Sequence, residues 1–422
     1  MSRKDDDVEF QAQVAAWLFD RMHFKQDQIA EHLGIKQPDV SRRLRLAEER
    51  GWLSRPEFLR GPDITEARME QIENAFYQKL PGLKRAIERL ARTRRPHDAP
   101  PRVQVFYSGP TATDRAGYHK RQELFGWNAA LYLRELVPKM RHIGVAWGKT
   151  IARLIDGLRP LNPKFERRTL FFPVSGEPLR GHGEENSATE LAAELQKFVE
   201  GGPVEGPGLN MVIPCIPDRF DEDVTNDIKR SLLGQVAGYR RIFLGEAEET
   251  GTGTAPRGTG ARLIDEMDTL ITGVGTASKT STDPWLIERV NAMHNDPALT
   301  REDFEAYTFG DVSGVYLLRP DLAALIAARL GKSGGAGKGA RDREAIEAKV
   351  RRINTQWTGI QREHVARCAE RARSSEGTAG VIVLAIGRAK SEIVIEAVNQ
   401  SLVSHLLIDQ DLADALLEDL GA

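Results

Sequence analysis

The sequence predicts an α/β protein carrying a small helical head, and three observations predict it. Apolar residues recur at helical spacing through the N-terminal part as far as Arg92. A break follows in which three prolines fall within Arg94 to Pro101 (RRPHDAPP). From Val103 onward, short apolar runs without polar alternation are separated by helical stretches, the pattern of parallel strands covered on both faces. At 422 residues, with 41% hydrophobic and 28% charged composition, the chain can bury a large core and divide into domains. The expected division is a head over 1–60, a helical linker over 61–101 and a layered α/β domain over 102–422, with insertions near 246–260 and 283–373.

In the head, Val8 to Met22 is amphipathic, with Val14, Leu18 and Met22 on one face. Two short helices follow within Phe24 to Trp52 (FKQDQIAEHLGIKQPDVSRRLRLAEERGW). Ile29, Ala30 and Leu33 give the first its apolar face, and Gly34 can take the left-handed backbone that ends it. Pro38 suits the first turn of the second helix, which turns Val40, Leu44 and Ala47 inward. Its opposite side carries Pro38, Arg42, Arg45 and Glu49, with Gln37, Asp39 and Ser41 nearer the start. This is the layout of a helix-turn-helix whose second helix enters the major groove. Lys36, Gln37, Asp39, Ser41, Arg42 and Arg45 are the candidate DNA contacts. An ordinary helical hairpin with a solvated basic face is the alternative; the short turn, and four cations against Asp39 alone between Lys36 and Arg45, favour DNA.

Ile64 to Arg92 reads as further helix, interrupted or kinked at Pro81-Gly82. From Lys84 to Arg102 stand seven Lys or Arg and only two acids, Glu88 and Asp98, a second basic patch that fits either a solvated helix end or phosphate contact. Beyond it the candidate strands are Val103 to Tyr107, His142 to Ala146, Thr169 to Val174, Met211 to Cys215, Arg241 to Leu244, Thr269 to Val274, Val315 to Leu318 and Val381 to Ile386. Glu246 to Gly260 and Gly331 to Arg341 have loop composition.

The formal charge of -2 makes any attraction to a polyanion local. Two cysteines, Cys215 and Cys368, and the absence of a signal-peptide pattern point to a cytoplasmic location. No apolar run approaches the roughly 20 residues that span a bilayer, so no membrane role is expected. Gly331-Lys332-Ser333 imitates the end of a P-loop, yet Ile326 occupies the position of its leading glycine. Neither metal-ligand spacing nor a cofactor motif is present, and His182 reads as a loop residue or ligand contact.

Anions bind an open parallel sheet at the carboxyl ends of its strands, where glycine turns expose backbone N–H groups. Four such places are Gly144 to Thr150 (GVAWGKT), Gly273 to Thr276, Gly310 to Gly314 and Gly387 to Lys390, two of them bearing a lysine. Singly each is ordinary tight geometry; together they suggest a small anionic ligand.

On these residues the chain resembles the SorC family of sugar-responsive transcriptional regulators, grouped with DeoR-type regulators. The family's loop reads G-V-G-W-G-R-T, so Ala146 replaces a glycine and Lys149 an arginine. Further matches are Asn186 to Leu195, Gly273 to Gly275, Gly310 to Gly314 and the C-terminal stretch from Ala385 to Leu417. There Ile386 stands in place of a first glycine, and Asp409-Gln410 in place of Asp-Glu. The resemblance implies a Rossmann-like effector domain related in fold to sugar-phosphate isomerases and glucosamine-phosphate deaminases. It implies that Gly148, Lys149, Thr150 and Lys390 hold an effector phosphate and that Asn186, Gly275 and Asp311 line or shape its pocket. A homo-oligomer, dimer or tetramer, on palindromic operator DNA is implied too. The surplus length falls in the two loops and in Asp283 to Arg373, where Trp285, Phe304, Tyr307 and Trp357 suggest a packed local cap.

The alternative is a sugar-phosphate isomerase or deaminase-like enzyme with a DNA-binding head, with Asp311 or Glu184 as acid or base; no paired constellation supports it and no catalytic residue is expected. A scaffold whose head binds protein is the third reading.

Overall fold

Helix α1 (Arg3–Asp20) lies across α2 (Gln26–Leu33) and α3 (Gln37–Glu49). Val14, Leu18, Met22, Ile29, Val40, Leu44 and Ala47 meet between them, all buried. Gly34, with φ 63°, ends α2 and gives its N–H to the carbonyls of Ala30 and Glu31, and Pro38 sits in the first turn of α3. A short antiparallel pair, β1 (Leu53–Ser54) and β2 (Glu57–Phe58), closes the head. The computed structural model describes residues 3–421, except 23, 55–56, 59–64, 97, 112–113, 139, 167, 178–185, 200–206, 211, 218–219, 246–260, 278–300, 332–337 and 375–376.

Two helices lead on, α4 (Glu66–Phe76) and α5 (Leu80–Arg94). The expected interruption or kink at Pro81-Gly82 is a full break lying slightly earlier, over 77–79, because Pro81 belongs to the first turn of α5, where its missing N–H costs nothing. Leu80, Leu83, Ala86 and Ile87 bury one side of α5 against helices Ser391–Asn399 and Gln410–Asp419.

Six strands form a parallel sheet in the order β3-β10-β9-β6-β4-β5: Arg102–Phe106, His405–Asp409, Gly380–Ala385, Thr269–Gly275, His142–Val145 and Leu170–Pro173. Helix α6 (Arg115–Leu136) follows β3, and α7 (Lys149–Leu161) follows β4; the two pack on each other, and α7 lies on the sheet. After β5 comes α8 (Ala188–Gln196). The chain runs outward from β4 to β5 and then returns past β4 to β6, so its direction of travel reverses between β4 and β6. Such a switch point opens a crevice at the carboxyl ends of the strands.

The hairpin of β7 (Thr308–Val312) and β8 (Val315–Leu318) adds antiparallel to the end of β6. Gly310 to Gly314, expected as one turn, thus supplies most of a strand and its hairpin tip. Leu317 and Leu318 at the far side of the hairpin lead into helix Leu322–Leu330, which packs on Lys338–Arg352. Tyr307, Tyr316, Leu322, Ile326, Ile346, Val350 and Ile353 make a separate small core there; of the aromatics expected in a cap, Tyr307 belongs to it and Trp357 does not.

Among the described residues, two expected strands do not form. Arg240–Leu244 winds as a π-helical turn continuing the short helix Ala237–Tyr239, so its apolar residues Ile242 and Phe243 face inward from a helix. In Met211 to Cys215, Met211 lies outside the described residues and Cys215 makes only an isolated bridge to Trp357. Conversely β10 is a fully buried central strand. Its apolar run, LLI, is too short to separate strand from helix by periodicity. Both cysteines are buried thiols.

Candidate functional site

The outward side of α3 is built by exclusion. Because Val40, Leu44 and Ala47 are committed to the head's core, Lys36, Gln37, Ser41, Arg42 and Arg45 stand exposed on the other side, with Asp39 half-buried. Asp39 and Arg42 form an i, i+3 ion pair at 2.9 Å, with the Arg42 side chain 69% exposed, so little desolvation holds it against a stronger partner. Ser41 gives its hydroxyl to Gln26 at 2.8 Å, tying α3 to α2. Arg43 turns aside to Gln11 on α1 at 3.1 and 3.2 Å and so braces the helix instead of facing outward.

At the carboxyl end of the sheet the predicted residues gather in two groups. In the first, Gly148 caps α7 with φ 124° and ψ 156°, a conformation reserved for glycine, and gives its N–H to the Asn186 carbonyl at 3.0 Å. Lys149, exposed, and Thr150 open the first turn of α7, whose free N–H groups favour an anion. In the second, Asp311 of β7 lies opposite Gly275 of β6, and a Cβ on Gly275 would sit 2.2 Å from the Asp311 carboxylate. A Cβ on Gly310, at φ 124°, would likewise sit 2.1 Å from the Gly275 carbonyl oxygen. Asp311 is 8% exposed and accepts the N–H of Gly314 at 2.7 Å, which folds the hairpin tip. Lys390 Nζ donates to the Val274 carbonyl at 2.7 Å, joining the helix after β9 to the end of β6. The groups sit on adjacent strands, since β4 pairs with β6.

Gly144 and Gly273, expected at turns, lie inside β4 and β6. A Cβ on Gly144 would meet Met267 Sδ at 2.4 Å, so that glycine serves packing. Gly387, with φ 90°, is a true turn ahead of a 3-10 turn Arg388–Lys390 and helix Ser391–Asn399. His182, Glu184, Trp285 and the Phe304 side chain lie outside the described residues.

Several neighbours were not expected at this site from sequence. Ser391 at the start of that helix is 3% exposed, and its Oγ has no hydrogen-bond partner among the described residues. Trp357, brought in by the surplus segment, sets its ring 5.6 Å from that of Trp147 in the β4 turn. Glu177, past the end of β5, accepts the N–H of Thr189, and burial raises its pKa above the usual carboxylate value. Most extensive is a polar cluster at the ends of β3 and β10. Arg121 of α6, 5% exposed, pairs with Asp409 and, at 2.7 Å, with Asp411, and donates to Ser108 Oγ at 3.1 and 3.2 Å. Burial pushes the Asp409 pKa up, opposed by the N–H groups of Gly387 and Leu412 and by the Arg121 charge.

A cavity of about 350 Å³ lies elsewhere, between Asn226 to Leu244 and Thr358 to His364, and none of the predicted site residues line it. Among the described residues no cluster of His, Cys, Asp and Glu could hold a metal ion, and no helix is long and apolar enough to cross a membrane.

No protein-family model matches the chain, and no curated protein matches it. Solved structures similar to it include the full-length sorbitol operon regulator SorC from Klebsiella pneumoniae, at 14% identity and TM-score 0.46, covering 98% of this chain and 99% of that one. A transcriptional regulator from Streptococcus pneumoniae TIGR4 aligns at 15% identity and TM-score 0.49 over 81% of this chain and all (100%) of that one. A DeoR family transcriptional regulator from Listeria monocytogenes aligns at 15% and 0.45 over 80% and 99%.

Proposed function

We propose that this protein is a DNA-binding transcriptional regulator controlled by a small carbohydrate effector, a sugar phosphate, acting in the cytoplasm as a homo-oligomer and without catalysis. Residues 1–60 form the DNA-binding unit, 61–101 the connector and 102–422 the effector-binding unit. The reading rests above all on one juxtaposition at the sheet's switch point. Two helices, opening at Gly148 and just after Gly387, carry Lys149 and Lys390 at the carboxyl ends of β4 and β9, the strands on either side of β6. Backbone N–H groups at a helix start plus a lysine suit a phosphate. The half-buried surroundings of Thr150, Asn186 and Gly275, with Ser391 Oγ nearby in sequence to Lys390, suit hydroxyl groups of a sugar. At the other end of the chain, Arg42 and Arg45 are displayed where base edges or phosphates would lie, with Lys36, Gln37, Asp39 and Ser41 around them.

An effector can change DNA occupancy only through different affinities for the DNA-competent and incompetent states. Two arms test the proposal. Selection of binding sites from a random duplex pool is expected to return a roughly palindromic sequence. A thermal-shift panel of sugar phosphates, free sugars and polyols is expected to raise the melting temperature with phosphorylated members above the rest. Turnover of any panel member would favour the isomerase or deaminase reading instead.

A further inference from the structure

The Gly387 turn is held from outside its own helical segment as well as by the Lys390 N–H on the Gly387 carbonyl. Its N–H donates to Asp409 Oδ1 at 3.0 Å, and the same oxygen accepts the N–H of Leu412 at 3.1 Å. The other carboxylate oxygen takes the Ser108 hydroxyl at 3.1 Å and Arg121. Ser108, Arg121 and Asp409 are 1%, 5% and 0% exposed, so no solvent stands by to replace a lost partner. A half-satisfied network of this kind is far more costly than either a complete one or an apolar core. Gly387 therefore cannot shift towards an anion without dragging Asp409, and with it Ser108, or breaking the set.

Ser108 is anchored again through its backbone, whose N–H reaches Gln410 Oε1 at 3.2 Å, while Gln410 Nε2 returns to the Gly109 carbonyl at 2.9 Å. The residue before it is Tyr107, its carbonyl held by Asn128 at 3.1 Å. The Tyr107 ring meets the edge of Phe24, with centroids 4.7 Å apart and planes at 71°. Phe24 belongs to the head: it precedes α2, gives its N–H to the Leu18 carbonyl at 3.0 Å, and packs on His32 and Phe76 with centroids 6.2 and 6.4 Å away. His32 in turn bonds the Ala75 carbonyl at 2.5 Å, so Phe24 sits where α2 meets the end of α4.

We infer that Ser108, Arg121 and Asp409 are positioning residues that tie the Gly387 turn to Tyr107, and that the Tyr107–Phe24 ring contact carries the state of that turn into the head that presents α3. This rests on the effector-binding reading of the Gly387 turn. It adds to that reading an identified mechanical link made of short contacts, with no residue from α3's exposed face involved. An aromatic edge-to-face contact adds specific geometry to plain area burial, so it transmits a displacement that a generic apolar patch would absorb.

The test uses the full chain, without DNA or ligand, and follows amide hydrogen exchange. Phe24→Leu and Tyr107→Leu are expected to speed exchange at residues 386–391 by roughly two- to thirtyfold, the range for substitutions that modulate coupling between sites. Ser108→Ala is expected to do the same at residues 24–33. Tyr107→Phe, which keeps the ring, is expected to restore wild-type rates. Helix Leu322–Leu330, outside the network, serves as the reference and is expected to stay unchanged. Exchange altered only in the segment that bears each substitution, a uniform rise that includes the reference helix, or a Tyr107→Phe variant indistinguishable from Tyr107→Leu would each overturn the link. Failure of sugar phosphates to bind would count against the effector reading and leave the exchange result to be judged alone.

Discussion

The two regions proposed to bind DNA and effector are built in opposite ways. On α3 the working side chains are exposed, few of them are bonded, and those bonds are weak; Arg42 is paired only within its own helix. At the sheet end the proposed ligand-facing groups are backbone N–H groups and side chains on elements fixed by partners far away in sequence, as when Arg121 reaches Asp409 across 288 residues. A DNA-reading helix must leave its polar groups free to bond a partner, whereas a small-ligand site has to be preorganised to avoid ordering costs at the moment of binding. Substitutions should accordingly act on binding alone in the first region and on folding and binding together in the second.

The largest contrast is expected from replacing Arg42 and Arg45 together by Ala. With about 1–3 kcal/mol for each base-reading arginine, specific DNA affinity should fall by roughly 2–6 kcal/mol, while unfolding free energy changes by no more than about 0.5 kcal/mol. Anisotropy titration of the selected duplex and urea denaturation measure the two. A stability loss matching the affinity loss would erase the distinction between the regions. Next in size, Asp409→Ala leaves Arg121 buried without its main counterion and should cost about 3–5 kcal/mol of stability. A cost under about 1 kcal/mol would mean the cluster does not hold the sheet end together.

His405 gives a smaller, pH-dependent effect. It is 5% exposed on β10, bonded through Nδ1 to the Tyr132 hydroxyl at 2.8 Å, and burial, with help from the Arg102 charge, pushes its pKa down from 6.5 to about 4. In the folded chain the imidazole is therefore neutral where the unfolded chain already takes up a proton. Its contribution is fully present above pH 6.5, falls as pH drops towards 4, and amounts to about 3 kcal/mol at most. The difference between wild type and His405→Gln in urea midpoints, measured from pH 7 to pH 4.5, should shrink by most of that amount. A difference independent of pH would place the proton affinity of His405 near its ordinary value.

The head was legible from sequence because its logic is local. Gly34, Pro38 and the inward stripe Val40, Leu44, Ala47 fix the second helix and so decide which side Arg42 and Arg45 take. The parallel strands other than β10 were legible as apolar runs, and the Gly148–Lys149–Thr150 turn as a glycine ahead of a helix. What remained hidden depends on distant partners. Arg240–Leu244 has the apolar content of a strand and becomes a π-helical turn that continues the short helix Ala237–Tyr239. Gly144 and Gly273 looked like turn glycines but lie within strands, the former because Met267 and Val174 leave no room for a Cβ. Arg121, Ser108 and Asp409 are unremarkable singly in sequence, and only the pairing of β3 with β10 makes them one cluster.

The most direct test of the whole account is the effect of the best sugar phosphate from the panel on the affinity for the selected duplex, compared between wild type and a Lys149→Ala, Lys390→Ala double variant. In the wild type the sugar phosphate should change DNA affinity by about 5- to 150-fold, the usual span of coupling between two sites. The double variant should keep the ligand-free DNA affinity and lose the change. An undiminished response in the double variant would contradict a phosphate site at Gly148 and Gly387, and DNA affinity indifferent to every sugar phosphate in both proteins would contradict the coupling of effector and DNA.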